Sequence, residues 1–295
     1  MKSALFLVFC KIFIGQQYFG IPYSNDMSPV QNKGPHARNY PPTPLILGNK
    51  KIEDEPDQGE LTRRYTEKAV DFIKEHSKEP FFLYFAHTFP HIPLYTNARF
   101  EGTSKRGLYG DVVEEIDWSV GQVLKALREN GLDKNTFVIF TSDNGPWLTE
   151  HENGGSAGPL KDGKGTWWEG GFRVPAICWM PERIKPAIND EIMASMDLFP
   201  TFLSMAGLRS PENVVLDGVD QSGLLFEDKS SSRDEVYYWW GSELMARPIK
   251  ETPVVTGKDA KRFAEKIAHL KPESKEEREA AKKVYAKFKA QYTFW

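Results

Sequence analysis

The amino-acid sequence predicts an α/β fold, a mostly parallel sheet flanked by helices. Residues 81–85 and 136–141 are short, continuous apolar runs, which is typical of strands covered on both faces. Residues 61–77 and 108–129 precede these runs and carry apolar side chains at helical spacing. Helices that alternate with buried strands favour parallel neighbours, because the chain must cross over between them.

The composition is that of an ordinary globular protein. Of 295 residues, 40% are hydrophobic and 27% are charged, and the net charge is −3. That balance gives no indication of nucleic-acid binding, which favours a basic surface. No apolar run reaches the roughly 20 residues that a membrane-spanning helix needs. The two cysteines form no disulfide framework or CxxC metal motif.

The sequence divides into three stretches of different character. Residues 1–17 are apolar and resemble either a signal peptide or a buried strand, and both readings stay open. Residues 18–246 contain the predicted sheet, with a Pro- and Gly-rich loop at 20–60 that includes a short hairpin. A third strand is predicted at 174–180, and a helix at 197–206 should bury Phe199. Residues 247–295 are rich in Lys, Glu and Ala and predict a solvated helical tail.

Asp143 and Asn144 directly follow the strand predicted at 136–141. Ligands of open α/β sheets gather beyond the carboxyl ends of the strands. Carboxylate and amide oxygens suit Ca²⁺ or Mg²⁺. Asp-Asn-Gly is also a common turn sequence, so a plain turn remains the alternative.

Two further polar residues lie in loops near the same predicted edge. His91 stands in Pro90-His91-Ile92-Pro93, where the prolines restrict the backbone and hold an imidazole able to donate a hydrogen bond. Lys164 lies between two glycines, which let a ligand approach the backbone, and its ammonium suits a sulfate or phosphate oxygen. The alternatives are a loop histidine without a role and a solvated lysine. His87 adjoins the strand and is the weaker candidate, because it is able simply to pack.

Several motifs in one order resemble the sulfatase family, within it the arylsulfatase A and N-acetylgalactosamine-6-sulfatase group. The resemblance covers residues 18 to 246 and rests on these stretches: 18–27 (YFGIPYSNDM), 81–93 (FFLYFAHTFPHIP), 108–121 (LYGDVVEEIDWSVG), 138–146 (VIFTSDNGP), 158–175 (GPLKDGKGTWWEGGFRVP), 195–207 (SMDLFPTFLSMAG), 216–220 (LDGVD) and 237–246. It implies an alkaline-phosphatase-like fold, of which residues 18–246 would form the C-terminal half of the catalytic domain. It also implies a lysosomal or secreted location.

The resemblance also implies roles for the candidate residues. Asp143 and Asn144 match ligands of a Ca²⁺ ion, His91 matches a histidine that contacts the sulfate ester, and Lys164 matches a lysine that binds the sulfate group. Family members hydrolyse sulfate esters with a formylglycine made from the Cys of a C-x-P-x-R motif. Neither Cys10 nor Cys178 fits that motif, and the earlier Asp-Asp metal ligands have no counterpart.

Two functional hypotheses follow, with a third held as remote. The chain is either a sulfuric ester hydrolase of the arylsulfatase type or a truncated, diverged and inactive fragment that binds a sulfated glycan, another sulfated ligand or a partner. With two ligands left, Ca²⁺ should bind weakly or not at all, since it usually takes 6–8 oxygens. A phosphoesterase of the same broad fold typically needs two metals held by clustered Asp and His residues, and the sequence shows no such cluster. Oligomeric state is not predicted.

Overall fold

A computed structural model describes residues 4–10, 17–28, 40–210, 213–240 and 243–247. All of them belong to one compact unit, which spans residues 1–33 and 38–249. The predicted tail lies outside the described residues apart from its first residue, so its helices are not tested. No helix among the described residues has the length and apolar character to cross a membrane.

The main sheet has four strands in the order β5-β1-β6-β7. Their bounds are Ala4–Cys10 (β1), Phe81–His87 (β5), Phe137–Thr141 (β6) and Ala176–Trp179 (β7). The expected α/β class is confirmed, but the expected parallel pairing is wrong for every pair described. β1 is antiparallel to both β5 and β6, and β6 is antiparallel to β7.

The position of β1 explains this difference. β5 and β6 run in the same direction, since each is antiparallel to β1. They are joined by a helix, α2 (Leu108–Glu129), as in an ordinary crossover. The first apolar segment lies between them in the opposite direction, so no parallel neighbours meet. Of the two readings of residues 1–17, the structure therefore shows a strand at Ala4–Cys10.

Helices cover the two faces of the sheet unequally. One face packs on α1 (Leu61–Glu75) and α2 through buried side chains that include Phe81, Phe85 and Val138. The other face carries Phe137 and Ile139 and is covered by α4 (Leu198–Met205). Residues four apart share a helix face, so Leu198 and Phe202 turn to the sheet. The predicted burial of Phe199 is wrong, because that side chain is 51% exposed.

The remaining elements are short. The predicted hairpin is confirmed by β3 and β4, which turn at Gly48, where φ is +61° and favours glycine. Their bounds and those of the other short elements are Phe19–Gly20 (β2), Pro44–Leu47 (β3), Lys50–Asp54 (β4), Glu169–Phe172 (α3), Ser222–Phe226 (α5), Val236–Trp240 (β8) and Glu243–Arg247 (β9).

Candidate functional site

His91 lies in the loop that follows β5 and is 8% exposed. Its Nδ1 lies 2.6 Å from the carbonyl oxygen of Ile92. Because a carbonyl only accepts, Nδ1 carries the proton and Nε2 is left for another partner. Burial lowers the pKa of His91, and the nearby Lys164 ammonium lowers it further. The Asn25 amide donates to the Pro93 oxygen (3.0 Å), which fixes this loop from outside.

Asp143 and Asn144 form the turn that follows β6. The Ser142 hydroxyl donates to the Asn144 oxygen (2.9 Å), and the Asn144 side-chain amide donates to the Gly145 oxygen (2.8 Å). The carboxylate of Asp143 remains exposed to solvent. Partial burial nevertheless raises the pKa of Asp143, against the opposing effect of the Lys164 ammonium. The chain bends at Asp143 and Asn144 and presents a carboxylate at the end of the strand, and the choice between a plain turn and a metal ligand stays a prediction.

Lys164 is held against that turn by its own backbone. The Lys164 N–H donates to the Pro146 oxygen (2.8 Å), and the Gly145 N–H donates to the Gly171 oxygen (2.9 Å). These approaches need glycine, because a Cβ on Gly145 would collide with the Gly170 carbonyl and one on Gly163 with the Pro146 oxygen. Backbone hydrogen bonds therefore attach the Gly-rich loop to the residues that follow β6, and they fix the position of the Lys164 backbone.

His91, Asp143 and Lys164 come together at this edge of the sheet. The Lys164 charge acts on the pKa of both His91 and Asp143. Burial lowers the pKa of Lys164, while the carboxylate of Asp143 opposes that shift. The residues that the sequence brought forward are thus neighbours, although their roles in binding stay predictions.

Sequence reasoning missed two neighbours of the site. The Trp147 ring centroid lies 4.8 Å from the Lys164 Nζ and 5.9 Å from the His91 ring centroid. Asp26 acts electrostatically on Lys164 and His91, and its Oδ1 is buried without a hydrogen-bond partner among the described residues. Trp147 closely follows the Asp143 turn and Asp26 lies in the motif at 18–27, so their positions in the sequence were the available signal.

His87, the weaker candidate, packs in the core. It is fully buried beside Phe85, with ring centroids 4.4 Å apart. Neither ring nitrogen has a hydrogen-bond partner among the described residues. Burial lowers the pKa of His87 to about 4, so the ring is neutral at physiological pH.

The residues present match only part of a calcium site. The Asn144 amide nitrogen is engaged with Gly145, which leaves its oxygen available, and the Asp143 carboxylate is accessible. Both are hard oxygen ligands. Within the described ranges, no group of three or more His, Cys, Asp or Glu side chains is arranged to hold a metal ion. Two ligands of the usual 6–8 are too few for a complete site, so no reaction step is derived through the ion.

Comparisons with known protein families find similarity to sulfatases. The family model described as Sulfatase matches residues 10–208. A second model, described as N-sulphoglucosamine sulphohydrolase, C-terminal, matches residues 163–261 and so extends beyond residue 246, where the resemblance was expected to end.

Individual relatives point the same way. The chain is 41% identical over 238 residues to N-acetylgalactosamine-6-sulfatase of Mus musculus, covering 78% of this chain and 45% of that one. It is 38% identical over 236 residues to arylsulfatase A of Bos taurus, covering 76% and 46%. The chain therefore spans less than half the length of these curated relatives.

The fold is also similar to that of a solved structure, Ps i-CgsB in complex with k-i-k-neocarrahexaose. The TM-score is 0.64 at 29% identity, and the alignment covers 75% of this chain and 52% of that chain. The Sulfatase family model matches more than half of the sequence. The four-stranded sheet and the order of the motifs agree with that assignment. The chain belongs to the sulfatase family.

Proposed function

We propose that this chain binds the sulfate group of an organic sulfate ester between His91 and Lys164. The observation that carries the proposal is the Lys164 ammonium, which lies beside His91 and forms no ion pair within the described part of the chain. An ammonium without a bound carboxylate suits an incoming anion. The names of the relatives and the sugar bound to the solved neighbour support sulfated aryl compounds or glycans as ligands. Sulfated glycolipids as ligands, and a lysosomal or secreted location, are part of the proposal by family resemblance alone.

The chemistry that we propose is sulfate-ester hydrolysis. Lys164 offsets the charge that builds up on the sulfate oxygens. Hydrolysis as a whole breaks the S–O bond to the alcohol and joins a water oxygen to sulfur; His91 donates a proton from Nε2 to the departing alcohol oxygen, and the proton that the water releases restores it. This donation requires the imidazolium form, because the Nδ1 proton is already donated to Ile92. Asp143 and Asn144 would hold Ca²⁺, which when bound would offset negative charge on the sulfate group.

A second candidate, binding without turnover, is favoured by one observation. The 295 residues contain no C-x-P-x-R motif, from which the family makes its formylglycine nucleophile. Without a nucleophile, a site that neutralises and orients a sulfate group still binds it. We therefore derive no step of attack on sulfur from the residues present.

The test measures sulfate binding and turnover on the same protein. Lys164→Ala should weaken inorganic sulfate binding about tenfold, since a charge-assisted contact of about 1.5 kcal/mol is lost. Lys161→Ala is the matched control, because Lys161 is exposed in the same loop and contacts the Trp168 ring, 3.5 Å from its Nζ. Equal losses in the two variants would reject the proposed binding site.

Turnover separates the two candidates. Release of 4-nitrocatechol from its sulfate ester, with Ca²⁺ present, is followed for the unmodified chain and for both lysine variants. Turnover that is lost in Lys164→Ala and retained in Lys161→Ala selects hydrolysis. Sulfate binding without turnover in the unmodified chain selects the binding function.

A further inference from the structure

Trp147 lies beside both of the groups that we expect to hold sulfate. Its ring centroid lies 4.8 Å from the Lys164 Nζ, and the His91 ring is 5.9 Å away at an angle of 48°. Its backbone is fixed on both sides, because the Trp147 oxygen accepts from Glu150 (3.2 Å) and the Pro146 oxygen accepts from Lys164 (2.8 Å). The indole is partly exposed and so has surface left for a ligand.

The contact between Lys164 and the indole leaves the ammonium available. A cation–π contact contributes about 0.5–2 kcal/mol and uses the charge of the ammonium without taking up all three of its N–H donors. A sulfate oxygen can therefore take a hydrogen bond from the ammonium while the contact with the ring persists. In a sulfate ester the organic group is joined to sulfur through one oxygen. That group must consequently lie against the immediate neighbours of Lys164 and His91, and Trp147 is a large apolar residue among them.

We propose that Trp147 is a specificity-determining residue that stacks on the ring of a sulfated sugar while Lys164 and His91 hold its sulfate group. This inference rests on the proposed function. A pyranose offers an apolar C–H face, which a flat indole covers, and a rim of hydroxyls that need polar partners. Two carboxylates near Lys164, those of Glu150 and Asp26, are candidate partners for these hydroxyls, and the buried Asp26 Oδ1 has no hydrogen-bond partner among the described residues. An aryl ring would leave them unused, so we commit to the sugar.

The experiment compares three probes by titration calorimetry: inorganic sulfate, glucose 6-sulfate and phenyl sulfate. The measured quantity is the affinity for each ester divided by the affinity for inorganic sulfate, which removes effects on the sulfate contacts themselves. For glucose 6-sulfate, Trp147→Ala should lower this ratio about tenfold, and Trp147→Phe should lower it less than about threefold, because a smaller aromatic ring still stacks.

Trp118→Ala is the matched control. Trp118 also has a cation over its ring, the Arg99 guanidinium at 5.6 Å, but lies on α2 and packs on Phe100. In Trp118→Ala, the affinity for glucose 6-sulfate relative to inorganic sulfate should stay unchanged. Circular dichroism of each variant establishes that it is folded, and Trp147→Phe provides a second reading if the alanine variant unfolds.

The outcomes separate the inference from the proposed function. If Trp147→Ala weakens binding of all three probes equally, the ratio is unchanged and the stacking role is overturned. Trp147 would then at most support Lys164. A greater loss for phenyl sulfate than for the sugar also overturns it. If the unmodified chain binds none of the probes, the proposed function itself fails. If it binds inorganic sulfate and glucose 6-sulfate equally well, only the inference fails.

Discussion

Asp143 and Asp197 are two carboxylates of this chain in opposite surroundings. Asp197 is 0% exposed and accepts hydrogen bonds from the Ala194 N–H (2.8 Å), the Val219 N–H (2.9 Å) and the Arg233 Nε (2.8 Å). Asp143 is exposed and forms no ion pair within the part of the chain that the structure describes. The Lys164 ammonium acts on Asp143 electrostatically but does not form a salt bridge with it.

The pKa shifts of the two residues differ in direction for this reason. Burial alone would raise the pKa of Asp197, but the Arg233 guanidinium and two backbone N–H groups outweigh it and hold that pKa below its usual range. Partial burial raises the pKa of Asp143, because the Lys164 ammonium and the backbone hydrogen bonds lower that pKa by less than burial raises it. A carboxylate that is fully paired stabilises the fold, whereas charges that are near each other but unpaired are available to a ligand.

The largest effect should come from disrupting the ion pair between Asp197 and Arg233. Asp197→Asn leaves the buried Arg233 guanidinium without its counter-charge, so we expect the free energy of unfolding to fall by about 3 kcal/mol. Urea denaturation measures this change. Asp190→Asn is the control, because Asp190 is exposed, and should change stability by less than about 0.5 kcal/mol. A small effect at Asp197 would show that the pairing is not a stabilising feature.

An intermediate effect is expected from the charge of His91. Sulfate prefers the imidazolium form, so binding of sulfate should raise the pKa of His91 from its lowered value in the free protein. Affinity for sulfate should therefore increase severalfold as the pH falls from about 7.5 to 5, by roughly 1 kcal/mol. His91→Asn should remove most of this slope. A slope that persists in the variant would assign the pH dependence to another group.

The smallest effect is expected at Asp143 itself. Without Ca²⁺, Asp143→Asn removes a negative charge near Lys164 and should strengthen sulfate binding about two- to threefold. Asp133→Asn provides the control, because Asp133 lies before β6, at the opposite end of the strand. If Asp143 is a calcium ligand, addition of Ca²⁺ should strengthen sulfate binding only in proteins that keep this carboxylate. An equal response to Ca²⁺ in Asp143→Asn would remove that role.

The sequence predicted local structure well where one pattern decides it. Both ends of α2 match the prediction, because a continuous apolar stripe defines the helix and Gly131, with φ of +65°, ends it. The bounds of β6 match the prediction to within one residue, because the continuous apolar run there shows no helical spacing that would favour a helix instead. Pairing direction was not predictable in this way. The direction of β1 depends on which strands it meets, and its own residues do not encode it.

The site shows the same division. The proximity of His91, Asp143 and Lys164 followed from the order of strands and loops, because strands that run in one direction place the following loops at one edge. Trp147 was not singled out, since its signal in the sequence was only its position shortly after Asp143, and a tryptophan there resembles any loop aromatic until its neighbours are known. The exposure of Phe199 was missed because the helix pattern shows that an apolar stripe exists but not how far the sheet extends beneath it.

The most direct measurement is a crystal structure of the chain with selenate, an analogue of sulfate that is located by its anomalous scattering. We predict selenium bound beside the end of β6, with selenate oxygens about 3 Å from both the Lys164 Nζ and the His91 Nε2. Selenate bound elsewhere, or bound at Lys164 with His91 out of reach, would contradict the claim that these side chains form one anion site.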